Sequence, residues 1–250
     1  MLLRSALVPS QDPVRAFFDT GSYLERNAII PVRARIVAQM LAGVHGSRIL
    51  DLGCGDGSIS RSLLQAHNQL TLVDFSAGML ASARDAFPAG APVQFIQADI
   101  LEYVPAEPYD AVICVGVLAH VDSVDQAVAR VSAALAPGGL CVLQTTDNAS
   151  PSGRLLNRYY RWRGRERYEL KTITSAELVS IAQVHGLVPK HSRRYGLLWP
   201  GLGRLPYRWE RWLEARAGSS LRLSALGAEV IICFQQHDPA GALENGGFGS

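Results

Sequence analysis

Strand-sized apolar runs alternate with helix-period segments from Arg48 onward: Arg48-Ile-Leu-Asp-Leu, Ser60 to Ala66, Leu70-Thr-Leu-Val-Asp74, Gly78 to Phe87, Val93-Gln-Phe-Ile-Gln97. Ala111-Val-Ile-Cys-Val115, a helical segment from Ser123 to Leu135, and Leu140 to Thr145 continue the series. Such alternation predicts parallel strands joined by crossover helices, a doubly wound α/β sheet. The near-continuous apolar character of the runs fits strands covered on both faces. Pro137-Gly138-Gly139 reads as a turn before the fifth strand, and Ser123 with Gln126 as a capping box.

Upstream, Pro13 to Leu41 has a helical pattern that breaks near Gly21 and restarts at Pro31, which suits a first helical turn. Downstream the pattern predicts an irregular Arg-rich stretch from Asn148 to Lys171, a helix over 175–185, a strand over 188–194, an aromatic insertion over 199–223 and a closing strand, Ala228 to Gln235. These boundaries divide the chain into a helical cap (1–45), a catalytic domain (46–236) with a lid over 148–223, and a Gly-rich tail (237–250) expected to be disordered.

A length of 250 residues and 48% hydrophobic content allow one sizeable core. The longest apolar run, Ala111 to Ala119, is far short of a membrane span, and the start does not have the make-up of a signal peptide, so a soluble cytoplasmic protein is expected. Cys54, Cys114, Cys141 and Cys233 form no CxxC pair and no histidine stands at metal spacing, which points to core thiols and no metal. The net charge of +2 hides a separation: residues 151–226 hold 15 Lys/Arg against 5 Asp/Glu, and the remainder 9 against 17. The late segment therefore favours anionic partners.

The candidate chemistry begins where the first strand runs into Asp51-Leu-Gly53-Cys-Gly55-Asp-Gly57. Glycines here bring bare backbone to a ligand. The GxGxxG spacing of dinucleotide sites fails at Ser58, and Asp51 and Asp56 would repel a pyrophosphate, so a ligand bearing an ammonium fits better. Asp74, 21 residues after Gly53, stands where a carboxylate reaches both ribose hydroxyls of an adenosine. Asp99 is placed to accept from the adenine amino group, with Ile100, Phe75 and Met79 about the ring.

In order, Ile49 to Gly57, Leu72-Val-Asp-Phe-Ser76 with Gly78-Met-Leu80, Gln97-Ala-Asp99, Tyr109 to Cys114 and Leu135-Ala-Pro-Gly-Gly139 resemble the motifs of class I S-adenosylmethionine-dependent methyltransferases. The small-molecule branch that includes the ubiquinone-biosynthesis O-methyltransferases is the most similar. The resemblance covers 48–145 and implies a seven-stranded, mostly parallel, Rossmann-like sheet with S-adenosylmethionine as cofactor. It implies further that Arg33 takes the cofactor carboxylate, that Val115 lines the cofactor, and that His120 faces the reacting methyl as a base. The likeness ends after Thr146, so the acceptor is not implied.

Each of these residues has a plainer reading. Asp74 and Asp99 singly read as turn caps, although their strand-end placement favours the site. Arg33 reads also as an exposed helix arginine, His120 as a histidine held by the helix start at Asp122-Ser123, and Tyr23 as a core tyrosine rather than a cleft contact.

Two basic-aromatic clusters remain. One gathers around Tyr159 and Arg163. The other runs from Trp199 to Trp212, with Leu205, Trp209, Trp212 and Leu213 on one helical face. They read as a solvated lid, or as a lid gripping a small, anionic or lipid-like acceptor, with peripheral contact to an anionic membrane as an extension. In that second reading Tyr159, Arg163 and Trp199, with Tyr23, are candidate acceptor contacts. A tRNA methyltransferase is a rival, disfavoured because Cys114-Val-Gly-Val stands where base-amino enzymes carry Asn/Asp-Pro-Pro-Tyr/Phe. A non-catalytic cofactor-binding partner protein is a second.

Overall fold

A computed structural model describes residues 29–162, 171–196 and 227–238. The proposed helix before Gly21, Tyr23, Arg163, Trp199, the aromatic insertion and the tail beyond Asp238 lie outside the described residues.

Seven strands form one sheet: β1 (Arg48–Leu52), β2 (Gln69–Asp74), β3 (Val93–Gln97), β4 (Tyr109–Cys114), β5 (Leu135–Thr146), β6 (Leu187–Tyr195) and β7 (Glu229–Gln236). Their spatial order is β3-β2-β1-β4-β5-β7-β6. All neighbours pair in parallel except β7, which is antiparallel to both β5 and β6. The order reverses between β1 and β4, and open α/β sheets bind ligands at such a switch point, outside the carboxyl ends of the strands.

The central strands β1, β2, β4 and β7 are buried almost throughout, whereas edge strand β6 exposes six consecutive residues, Val188 to Arg193. Lys190 and Arg193 on that edge discourage pairing with another chain. Fully buried Leu50, Leu72, Ile113 and Leu143 form the sheet's interior, each worth roughly 1.5–3 kcal/mol of burial.

Helices α1 (Ile29–Met40), α2 (Ala77–Ala86), α3 (Val124–Ala133), α4 (Pro151–Trp162) and α5 (Ser175–Val184) flank the sheet, with a 3-10 helix at Ser60–Ala66. Val32, Ile36 and Val37 of α1 join the apolar cluster that includes Ile49, Ala111, Ile113 and Ile231 on one face. Val124, Ala127, Val128 and Val131, at helical spacing, turn α3 onto the other face beside Leu178 and Ala182 of α5. Ser76 caps α2 and Ser123 caps α3, while Thr174 and Glu177 form a reciprocal capping box at α5.

Four local expectations are corrected. Residues 151–162 form α4 where an irregular stretch was expected, because the Pro151 start follows Ser150, whose Oγ accepts from Gly153 N at 2.9 Å, an N-terminal stop that tertiary context completes. Pro137-Gly138-Gly139 lies inside β5 rather than before it: Tyr109 pairs with Leu135 and Ala111 with Leu140, so the three residues bulge out of the ladder. Ser60–Ala66 is a 3-10 helix, ended by His67 in the left-handed region. At α3 the Ser123 hydroxyl accepts from Gln126 N, one half of the box.

Candidate functional site

The carboxyl ends of β1 to β4 converge on a cleft of about 270 Å³. Its wall includes Asp51, Gly53 and Gly55 after β1, Asp74, Phe75 and Met79 after β2, Asp99 and Ile100 after β3, and Val115 and His120 after β4, with Arg33 reaching in from α1. All eleven residues expected from the glycine loop, the spacing or the family resemblance thus border one space. Tyr159 lies on α4, and Tyr23, Arg163 and Trp199 are outside the described residues.

The glycine loop is held by its own backbone and by β2. Gly53 N and Cys54 N both donate to Val73 O, at 2.8 and 3.1 Å, and Gly55 N donates to Asp74 Oδ2 at 2.9 Å. Asp74 Oδ1 accepts from Ser76 N at 2.9 Å, so this buried carboxylate ties the loop to the start of α2. Gly53 has φ +77°, and a Cβ there would stand 2.3 Å from Val117 Cγ2. Gly53→Ala combines left-handed strain with that overlap and should cost about 2 kcal/mol, lowering the melting temperature by roughly 4–8 °C in a thermal scan. An unchanged melting temperature would show that the loop can relax. At Gly55, by contrast, a Cβ would meet nothing within 4 Å: it would project into open space at the cleft.

Three titrating groups that border the cleft are perturbed. Asp51 is buried and accepts from Ser60 Oγ. Burial pushes its pKa up to about 7, the Ser60 hydroxyl opposes the rise, and the charges of Asp74 and Asp56 add to it. His120 is pushed down to about 4, first by burial and then by the Arg33 cation, so at neutral pH it is an uncharged imidazole. The Cys54 thiol, raised well above its ordinary value by burial and by Asp51, stays protonated. Asp99, exposed, accepts from Leu101 N at 2.9 Å.

Arg33 is not the exposed arginine of its plainer reading. It is 8% exposed; its Nη2 donates to Glu229 Oε2 at 2.7 Å and its Nε to the Tyr195 hydroxyl at 2.9 Å. Glu229 also accepts from Gln144 Nε2 at 3.3 Å, and Gln144 Oε1 accepts from Gly116 N at 3.0 Å. Glu229, Tyr195 and Gln144 were missed in the sequence. The available signal was a lone carboxylate opening the apolar run Glu229 to Phe234, because a buried charge of this kind needs a partner. Among the described residues no group of three or more His, Cys, Asp or Glu is placed to hold a metal ion.

The doubly wound sheet and its carboxylate-lined switch-point cleft define an open α/β ligand-binding architecture. Comparison with known proteins narrows the class. Residues 49–139 match the family model described as "Methyltransferase domain". The chain is 30% identical over 140 residues to the ubiquinone biosynthesis O-methyltransferase of Cronobacter sakazakii, a match covering 54% of this chain and 58% of that protein. It is 34% identical over 149 residues to the trans-aconitate 2-methyltransferase of Methylobacterium nodulans, covering 57% and 55%. The chain thus spans little more than half the length of these relatives. Magnesium protoporphyrin IX methyltransferase from Synechocystis, solved with bound SAH, superposes with a TM-score of 0.63 at 18% identity, over 89% of this chain and 97% of that one. Over residues 49–139 the chain is thus similar to methyltransferase domains, and its fold is that of solved S-adenosylmethionine-dependent methyltransferases.

Proposed function

We propose that this protein transfers the methyl group of S-adenosylmethionine to an oxygen or nitrogen of a small acceptor of anionic or amphiphilic character. The observation that carries the reading is the gathering of Asp51, Asp74, Asp99 and His120, from the ends of four successive strands, around one cleft. The donor and acceptor chemistry of the wall fits the cofactor. Asp74 suits the ribose hydroxyls, Asp99 the adenine amino group, and Ile100, Phe75 and Met79 the faces of the ring. Asp51, beside the bare Gly53–Gly55 backbone, suits the ammonium, Arg33 the carboxylate, and Val115 the side of the thioether chain.

The cofactor supplies an electrophilic methyl on a sulfonium, and the residues of this chain supply alignment, exclusion of water and a proton acceptor. His120 is uncharged at neutral pH, so its imidazole can take the proton that a hydroxyl or ammonium acceptor must lose. Relatives named for ubiquinone biosynthesis and for trans-aconitate support a small-molecule acceptor. The excess of Lys and Arg over 151–226 supports an anionic one.

Calorimetric titration with S-adenosylmethionine tests the cofactor, and transfer of labelled methyl to extract metabolites tests the acceptor. Undetectable cofactor binding would sink the whole reading. His120→Ala should lower kcat by roughly 10²–10⁴ with the cofactor Kd unchanged. On His120's account the wild-type rate should be flat from pH 6 to 8 and fall only as the pH approaches about 4, where the imidazole gains its proton. Full turnover by His120→Ala would remove the base and point to a carboxylate oxygen as acceptor, which has no proton to lose.

A further inference from the structure

The guanidinium of Arg33 is gripped along one edge. Nε and Nη2, the two nitrogens whose N–H bonds point the same way, go to Tyr195 and Glu229. The Tyr195 hydroxyl also bonds Glu229, so the three side chains close a ring. Nη1 lies on the other edge, 3.0 Å from where a Cβ on Gly116 would stand, and both Arg33 and Gly116 border the cleft. Gln144 joins the two halves of this arrangement, donating to Glu229 and accepting from the Gly116 amide. Arg33 and Glu229 are 196 positions apart, and their side chains are only 10% and 9% exposed.

A guanidinium buried to this degree without a counter-charge is strongly disfavoured and would be drawn out of position or toward water. Glu229 supplies the counter-charge from inside the protein, before any ligand arrives. The orientation of Arg33 is then set by β6 and β7 rather than by what enters the cleft, and bidentate-type geometry is where arginine orientation matters most.

We propose that Glu229, assisted by Tyr195 and Gln144, is a positioning residue that holds the Arg33 guanidinium by its Nε/Nη2 edge so that the Nη1 edge faces a ligand carboxylate beside Gly116. The inference rests on the reading that the cleft takes S-adenosylmethionine with Arg33 toward its amino-acid end. Glu229 itself is kept from the ligand by the guanidinium it holds, and it acts on carboxylate recognition, not on methyl transfer.

The test compares two ligands by calorimetry: S-adenosylmethionine and its decarboxylated form, which keeps the sulfonium and the ammonium and lacks the carboxylate. The wild-type protein should prefer the first by roughly tenfold to a hundredfold, the range of a charge-assisted hydrogen bond. Glu229→Ala should cut that preference by roughly tenfold while changing the affinity for the decarboxylated form by less than about threefold. Glu229→Gln, which keeps an oxygen for Nη2, should restore most of the preference. Tyr195→Phe, which retains the ion pair, gives the same effect at smaller size and serves if Glu229→Ala does not fold. A merely structural role would weaken both ligands together, and that result overturns the proposal. Equal wild-type binding of the two ligands overturns it too and leaves the cofactor reading standing, whereas failure to bind either refutes the cofactor reading itself.

Discussion

Asp74→Ala should raise the Kd for S-adenosylmethionine by at least about a hundredfold, the largest single loss expected in the cleft. One carboxylate ties the glycine loop through Gly55 N and the start of α2 through Ser76 N, and in the proposed function it meets the ribose hydroxyls as well. Hydrogen bonds to an ionised group are each worth about 1.5–3 kcal/mol, so losing two corresponds to roughly 10²–10⁴ in affinity. Calorimetry beside a thermal melt separates the two contributions. Asp74→Asn keeps one oxygen and should fall between wild type and alanine. A well-folded Asp74→Ala protein with wild-type affinity would mean that the ribose is held elsewhere.

Asp51→Asn should stabilise the cofactor-free protein as the pH rises. The folded-state pKa of Asp51 is raised, so its contribution to stability is fully present below the ordinary carboxylate value of 3.8 and is lost as the pH rises through about 7. Over that window each pH step costs the wild type about 1.4 kcal/mol, which the asparagine variant escapes. Between pH 5 and pH 8 the variant's melting temperature should gain on the wild type's by roughly 5–10 °C. The same substitution should weaken S-adenosylmethionine, because in the proposed function the ammonium would then meet a neutral amide in place of a carboxylate. Wild-type binding should also release a proton below pH 7, detectable as a dependence of the binding enthalpy on buffer ionisation. A gap in melting temperature that does not change with pH would show that Asp51 is ionised in the folded protein throughout.

The parts of this molecule that a single sequence reveals are those written locally. Alternation of apolar runs was enough for β1 to β5, and β3 matches its expected bounds, Val93 to Gln97. Asp51, Asp74 and Asp99 were legible because each stands at or just beyond the carboxyl end of a strand, and strand ends share one edge of a parallel sheet. Arg33 and His120 were reached through family resemblance, since nothing local distinguishes them from an exposed arginine and a helix-start histidine. What stayed hidden is non-local. The partnership of Arg33 with Glu229 and Tyr195 depends on β7 entering between β5 and β6, which no short-range pattern encodes. Helix α4 was concealed by its Arg-rich composition, and the Pro137–Gly139 bulge by turn residues that usually end a ladder.

The placement of β7 also bears on how the molecule comes into being. Translation proceeds from the N-terminus, so the glycine loop and five parallel strands leave the ribosome well before Glu229. Until then β5 presents Cys141, Val142 and Leu143 on an unpaired ladder edge, the same residues that later pair with Phe234, Cys233 and Ile232. The nascent chain therefore passes through a stage with most of the cleft wall made, an apolar edge open to passing chains and Glu229 not yet beside Arg33. Chaperone demand should be concentrated in that interval, and it ends when the last strand slides home.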